Sequence, residues 1–112
     1  LGGDSLKARR GVSNTDEPQI LLKKRMSVAE RHQNWIYVPK RLWNQFPPGS
    51  FVKVLVNGRE VEMKINRYGY MNPSQMLWET FVQLLGFNKD RDTLVFIQYK
   101  DGKLGIACKK GV

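Results

Sequence analysis

Arginine, glutamine and asparagine are the side chains that form paired hydrogen bonds to the edges of guanine and adenine, and two polar stretches of this chain collect them. The first, residues 27–34, carries Glu30, Arg31, His32, Gln33 and Asn34 behind the basic run Lys23-Lys24-Arg25. The second, residues 66–72, carries Asn66, Arg67 and Asn72, with Tyr68 and Tyr70 on either side of Gly69. Lys23, Lys24, Lys40, Arg41 and Lys64 suit phosphate, where a point charge is enough. Each residue also has a plainer reading. Asn66 and Asn72 are turn formers, Arg31 is placed to pair with Glu30, and any single basic residue can be a solvated surface charge. Tyr68 and Tyr70 either stack on bases or sugars, as in single-strand binders, or pack into a core.

Catalytic chemistry finds little material. One histidine and one cysteine cannot make a structural zinc site, and His32 has no second ligand cluster beyond its neighbour Glu30, so it reads as a polar loop residue or a phosphate contact. The glycines lack the strand, spacing and lysine of a nucleotide-binding turn. Asp90, Asp92 and Glu79 surround a helix end and a turn, where capping and solubility explain them better than a bound Mg²⁺ does. The expectation is a binding domain with no catalytic activity, no cofactor, no metal and no small-molecule substrate.

Charge narrows the partner. The chain has 112 residues, 19 Lys and Arg against 10 Asp and Glu, a formal net charge of +9, and 11% aromatic residues. A basic, aromatic-containing domain points first to nucleic acid and second to an anionic membrane. No window approaches the roughly 18 consecutive apolar residues of a membrane helix, and no amphipathic helix has a long basic face. The N-terminus does not read as a signal peptide and the single Cys108 can make no internal disulfide, so the expected location is intracellular: the nucleus in a eukaryote, otherwise the cytoplasm.

Residues 1–17 are polar and Gly-rich, with a basic cluster of Lys7, Arg9 and Arg10, and are expected to form a flexible tail. Within them Leu1-Gly2-Gly3-Asp4-Ser5-Leu6 resembles the phosphopantetheine attachment motif of carrier proteins. The absence of a preceding helical pattern and the β-rich chain that follows set that reading aside. Residues 18–110 form the expected domain.

The positioning elements are short strands. Ile20-Leu21-Leu22 opens the series, residues 27–34 read as a projecting loop, and Trp35-Ile36-Tyr37-Val38 has strand propensity throughout, with Pro39 fit to open a short helix over residues 40–46. Asn57-Gly58 between alternating segments predicts a tight hairpin; Val61, Met63 and Ile65 face inward, and Glu60, Glu62 and Lys64 outward. A strand over residues 68–71 precedes a helix from Pro73 with Met76, Leu77, Phe81, Leu84 and Leu85 on one face, Asn72 as N-cap and Gly86 as C-cap. A last hairpin alternates Leu94, Phe96 and Gln98 against Val95, Ile97 and Tyr99, then runs through Leu104, Ile106 and Cys108. Trp35, Trp43, Trp78, Phe81 and Phe96 are the expected aromatic core.

Residues 35–65 and 68–108 thus repeat one order: strand, proline, short amphipathic run, turn, two strands. A unit this small cannot bury both faces of its own sheet, so the two copies should close around one core as a mainly β, seven-stranded open barrel with two short helices.

Over residues 18–108 the chain resembles the plant-type B3 domain, a DNA-binding pseudobarrel. The resemblance is carried by Ile36-Tyr37-Val38-Pro39, Phe46-Pro47, Val52 to Val54 with Gly58-Arg59, Trp78-Glu79-Thr80-Phe81-Val82, and Asp92-Thr93-Leu94-Val95-Phe96 followed by Tyr99. AbrB-type swapped-hairpin regulators and the recognition domains of some restriction endonucleases share a similar half-unit. The first strand departs from the family in lacking an aromatic near its start. The resemblance implies sequence-selective binding of duplex DNA by two projecting connections in the major groove, as a transcription regulator or recognition module. One connection is residues 27–34 backed by Lys24 and Arg25, the other residues 66–72. Since one chain holds both half-units, a monomer is expected. The alternative is a barrel that binds protein or RNA and uses its charge only for weak attraction.

Overall fold

The computed structural model describes residues 17–111. The tail expected over residues 1–17, with Lys7, Arg9 and Arg10, lies outside them except for Glu17. Seven strands are found among the described residues: β1 (Gln19–Lys24), β2 (Ile36–Tyr37), β3 (Phe51–Val56), β4 (Arg59–Ile65), β5 (Tyr70–Pro73), β6 (Thr93–Gln98) and β7 (Leu104–Lys109). The helical segments are α1 (Val28–Gln33), a 3-10 turn (Lys40–Leu42) and α2 (Trp78–Leu85).

The strands form one sheet in the order β1-β6-β7-β3-β4-β5-β2. The sheet curls into an open seven-stranded half-barrel. Both half-units have the same order, β2, 3-10 turn, β3, β4 and then β5, α2, β6, β7, and their first strands pair with each other, Ile36 opposite Met71 and Tyr37 opposite Tyr70. Their hairpins meet at a short parallel seam, Val54 opposite Leu104 and Leu55 opposite Gly105. The seam needs glycine there, because a Cβ on Gly105 would lie 2.9 Å from the Tyr99 ring and 3.2 Å from the Leu55 carbonyl oxygen.

Strand alternation fills the interior. Val54 and Val56, then Val61, Met63 and Ile65, then Met71, Leu94, Phe96 and Ile106 point into one core with Phe46, Phe81 and Leu85. Phe46 of the first half meets Phe96 of the second edge-on, ring centroids 5.4 Å apart. Asn57 and Gly58 both take positive φ, as the two-residue hairpin demands, and the Asn57 amide donates to the Leu84 carbonyl at the end of α2.

Four local readings are corrected. Residues 27–34 are not a loop: Ser27 and Glu30 form a reciprocal capping box, Asn34 ends the helix in the left-handed conformation, and α1 lies between them. The second helix starts at Trp78 and is not capped by Asn72, because Pro73 is buried as the last residue of β5 opposite Met63 and Ser74 is tied to Glu62. The strand before it is shifted to 70–73, since Asn66 accepts the amides of Tyr68 and Tyr70 and holds residues 66–69 as a turn. Phe81 and Phe96 are fully buried as expected, whereas the three tryptophans are only partly so. Trp43 anchors its polar end as a partly buried indole does: its ring N–H donates to the Val38 carbonyl at 2.8 Å.

Asp92, read as a capping and solubility residue, is turned fully inside. It accepts hydrogen bonds from the Asn88 amide, the Gly111 amide and the Lys110 ammonium. The Gly111 and Asn88 amides outweigh its desolvation and, with Lys110, bring its pKa from 3.8 down to about 2. A depressed pKa gives stability that is present above the unfolded value and lost as pH falls toward the folded one. Native protein should therefore lose melting temperature between about pH 4 and 2. In thermal melts across that window Asp92→Asn should start lower at neutral pH and fall less; parallel curves for the two proteins would reject the role.

Candidate nucleic-acid interface

Register partners on neighbouring strands project to the same side of a sheet, so the outer face of β3, β4, β5 and β2 can be read row by row. One row is Phe51, Lys64 and Asn72; a second is Lys53 and Glu62; a third is Tyr70 and Tyr37. Phe51 is 59% exposed and Tyr70 37%. The Tyr37 and Tyr70 rings stand 5.2 Å apart in a tilted pair, and the Lys24 ammonium lies 5.8 Å from the Tyr37 ring. Beyond these rows the turn 66–69 carries Arg67, whose guanidinium sits 5.0 Å over the Tyr68 ring; Tyr68 itself is 60% exposed. Gly69 makes that turn possible. Its φ is +89°, and a Cβ there would meet the Trp43 ring at 3.0 Å and the Val38 carbonyl oxygen at 3.2 Å.

The two polar stretches picked out by residue type come together at this face. Asn72 donates from its amide to the Asn34 carbonyl at 2.6 Å, which docks the C-terminal end of α1 against β5. Lys89 reaches the same helix end, donating to the Arg31 carbonyl and the Asn34 side-chain oxygen. α1 is thus clamped from both sides.

The predicted side chains divide by what they already hold. Lys24 donates to the buried Glu30 carboxylate and, at 2.9 Å, to the Tyr37 carbonyl. Arg25 donates to the Asp90 carbonyl; Arg31 donates to the Met26 carbonyl and lies 3.6 Å from the Asp90 carboxylate, so Glu30 is not its partner. Asn34, Asn66 and Asn72 make the cap and turn bonds just described. His32, Gln33, Lys64, Arg67 and Tyr68 are exposed. Burial would raise the pKa of Glu30, but Lys24 and the amides of Ser27 and Tyr37 overcome it and hold the carboxyl below its ordinary value. Glu30 is therefore charged at neutral pH and serves structure.

Sequence reasoning passed over Phe51, Lys53 and Tyr37 as surface groups. The signal existed: the alternation that buries Val54 and Val56 puts Phe51 and Lys53 outside.

What this arrangement offers chemically is a basic, ring-bearing surface without a metal cluster among the described residues. No helix among them is long and apolar enough to cross a membrane. Comparison with family models, curated proteins and solved structures finds no match. The fold defines the class: an open half-barrel resembling pseudobarrel-type domains, a form shared by barrels that bind nucleic acid or protein.

Proposed function

We propose that this domain binds duplex DNA selectively and without catalysis, in the manner of the B3-type pseudobarrels it resembles, and serves as a transcription-regulator or DNA-recognition domain. The observation that supports the reading is the hydrogen bond from Asn72 to the Asn34 carbonyl, which ties the C-terminal end of α1, where His32 and Gln33 are exposed, to β5, the strand that follows the turn bearing Arg67. Preset geometry matters because ordering loose arginine and glutamine side chains costs binding energy. Arg67 and Gln33 are the readers best placed for base edges, with His32 and Lys64 near phosphate; Arg25, Arg31 and Lys24 set the local field while holding the helix. The domain acts as a monomer, in the compartment that holds the DNA.

Selection from random duplexes by the purified chain should enrich one short motif. On that motif, four to seven neutralised phosphates, a number in keeping with the charge, give a log affinity against log salt slope of about −4 to −6. Arg67→Ala should cost about 1 to 3 kcal/mol on the preferred site and relax base preference at one or two positions. Equal loss on specific and scrambled duplexes would remove Arg67 as a reader. Absence of any enriched motif, with capture of protein or RNA instead, would favour the barrel-as-interaction-module alternative.

A further inference from the structure

A duplex read through its groove edges gives no use to flat, exposed rings on the same surface. Six large apolar or aromatic side chains are exposed among the described residues: Ile20, Val28, Phe51, Tyr68, Tyr70 and Leu77. Half of them lie on the outer face of β3 to β5 or on the turn that ends it. Phe51 stands next to Lys64 across the β3 and β4 ladder and two residues from Lys53; Tyr70 lies across β4 from Phe51, one pleat along the strand; Tyr68 has Arg67 on its ring. Adjacent strands are about 5 Å apart, so Phe51 and Tyr70 are separated by about 10 Å across the strands, with Lys64 between. Aromatic rings with cations interleaved at this spacing match an unpaired strand, in which successive bases present π-faces and the backbone presents a phosphate per nucleotide. Of the two carboxylates on the outer face of β4, Glu62 is occupied by Ser74 and Gln75 and faces Lys53, and Glu60 lies one row further on, opposite Leu55 and away from the rings.

We infer that the outer face of β3, β4 and β5 binds a single-stranded segment of DNA by stacking bases on Phe51, Tyr70 and Tyr68, with Lys53, Lys64 and Arg67 on the phosphates. Charge complementarity favours a polyanion over an apolar peptide here, and the face is continuous with the projections proposed to meet duplex DNA. The inference rests on that reading only for bringing DNA to this face. An unpaired strand beside the duplex site would let the domain hold DNA that is locally opened.

The test measures fluorescence anisotropy of labelled oligo(dT), of oligo(U), and of the selected duplex, with the full chain. Oligo(dT) should bind in preference to oligo(U). Phe51→Leu, which keeps apolar bulk but removes the ring, should weaken oligo(dT) binding roughly five- to 150-fold. Tyr68→Leu should do likewise. Phe51→Tyr should restore it, and duplex affinity and melting temperature should stay near native in both Phe51 variants. The inference is overturned by no oligo(dT) binding with duplex binding intact, by unchanged oligo(dT) binding in Phe51→Leu, by equal losses on oligo(dT) and duplex, or by preference for oligo(U). If neither duplex nor oligo(dT) binds, the duplex reading falls as well.

Discussion

Truncating Phe96 to alanine should destabilise the whole barrel by about 3 to 5 kcal/mol, the range for deleting a fully buried phenyl ring, and melting should remain a single transition. Phe96 is completely buried and touches Phe46 edge-on, so the two rings join the half-units across the middle of the core. Phe46→Ala should have a similar effect. The double variant should cost less than the sum of the two, because each single change already loses the ring-to-ring contact, worth about 0.5 to 1.5 kcal/mol. Chemical denaturation followed by circular dichroism and tryptophan fluorescence together measures this. Two separate transitions in native protein, or additive single costs, would mean the halves are independent units that only share a sheet.

The same contact shows how far the fold was legible. Repetition of the strand, proline and hairpin order predicted one shared core, and alternation assigned Val61, Met63, Ile65, Leu94 and Phe96 to it, because the period of a half-buried strand is local and strict. Asn57-Gly58 and Gly86 declared their turns through the positive φ that those positions require. The parallel seam of β3 with β7 was invisible. It pairs residues about fifty positions apart, and no local pattern encodes which hairpin lies beside which. The helix at α1 was missed for a different reason. Apart from Val28 and Ala29 its residues are polar, and the capping box Ser27 to Glu30, a legible signal, was hidden by reading Glu30 as a neighbour for Arg31.

At the candidate site, residue type picked out two segments but could not give the state of each side chain. Lys24 and Arg31 have the chemistry of DNA contacts, yet the first is bound to a buried carboxylate and the second to a carbonyl and Asp90. Partners from five to about sixty residues away decide this, and only the fold reveals them. Phe51 gives the opposite lesson. Strand parity already placed it outside, so its exposure was readable from Val54 and Val56, while its neighbourhood with Lys64 and Asn72 needed the register.

Glu30→Ala should produce the largest effect on the site of any change outside it. The sheet does not close: β1 and β2 are its two edges, and no ladder joins them. Side chains bridge the gap instead. Lys24 from β1 donates to the Tyr37 carbonyl in β2, and Glu30 between them accepts from Lys24, from the Tyr37 amide at 2.7 Å and from the Ser27 amide at 2.8 Å. Removing the carboxylate leaves a mostly buried ammonium and two amides without their acceptor, and breaking a buried pair this way costs about 3 to 5 kcal/mol; Lys24 keeps a little solvent, so the lower end is expected. The loss should be local first. α1 has only six residues, too few to persist as a helix without its cap and its anchor. Hydrogen exchange should therefore show faster exchange at residues 28–34 and at Tyr37 while the amides of β6 and β7 stay protected. Because His32 and Gln33 ride on α1, the proposed duplex binding should weaken although Glu30 is not one of the proposed contacts. Adding Lys24→Met to Glu30→Ala removes the stranded charge and should recover part of the stability, yielding a positive coupling in the cycle. A low folded pKa makes the native pair most effective above the ordinary glutamate range, so its contribution should fade as the carboxylate is protonated in acid. If Glu30→Ala leaves both exchange at α1 and DNA affinity at native values, the bridge is incidental and the helix is held by Lys89 and Asn72 alone.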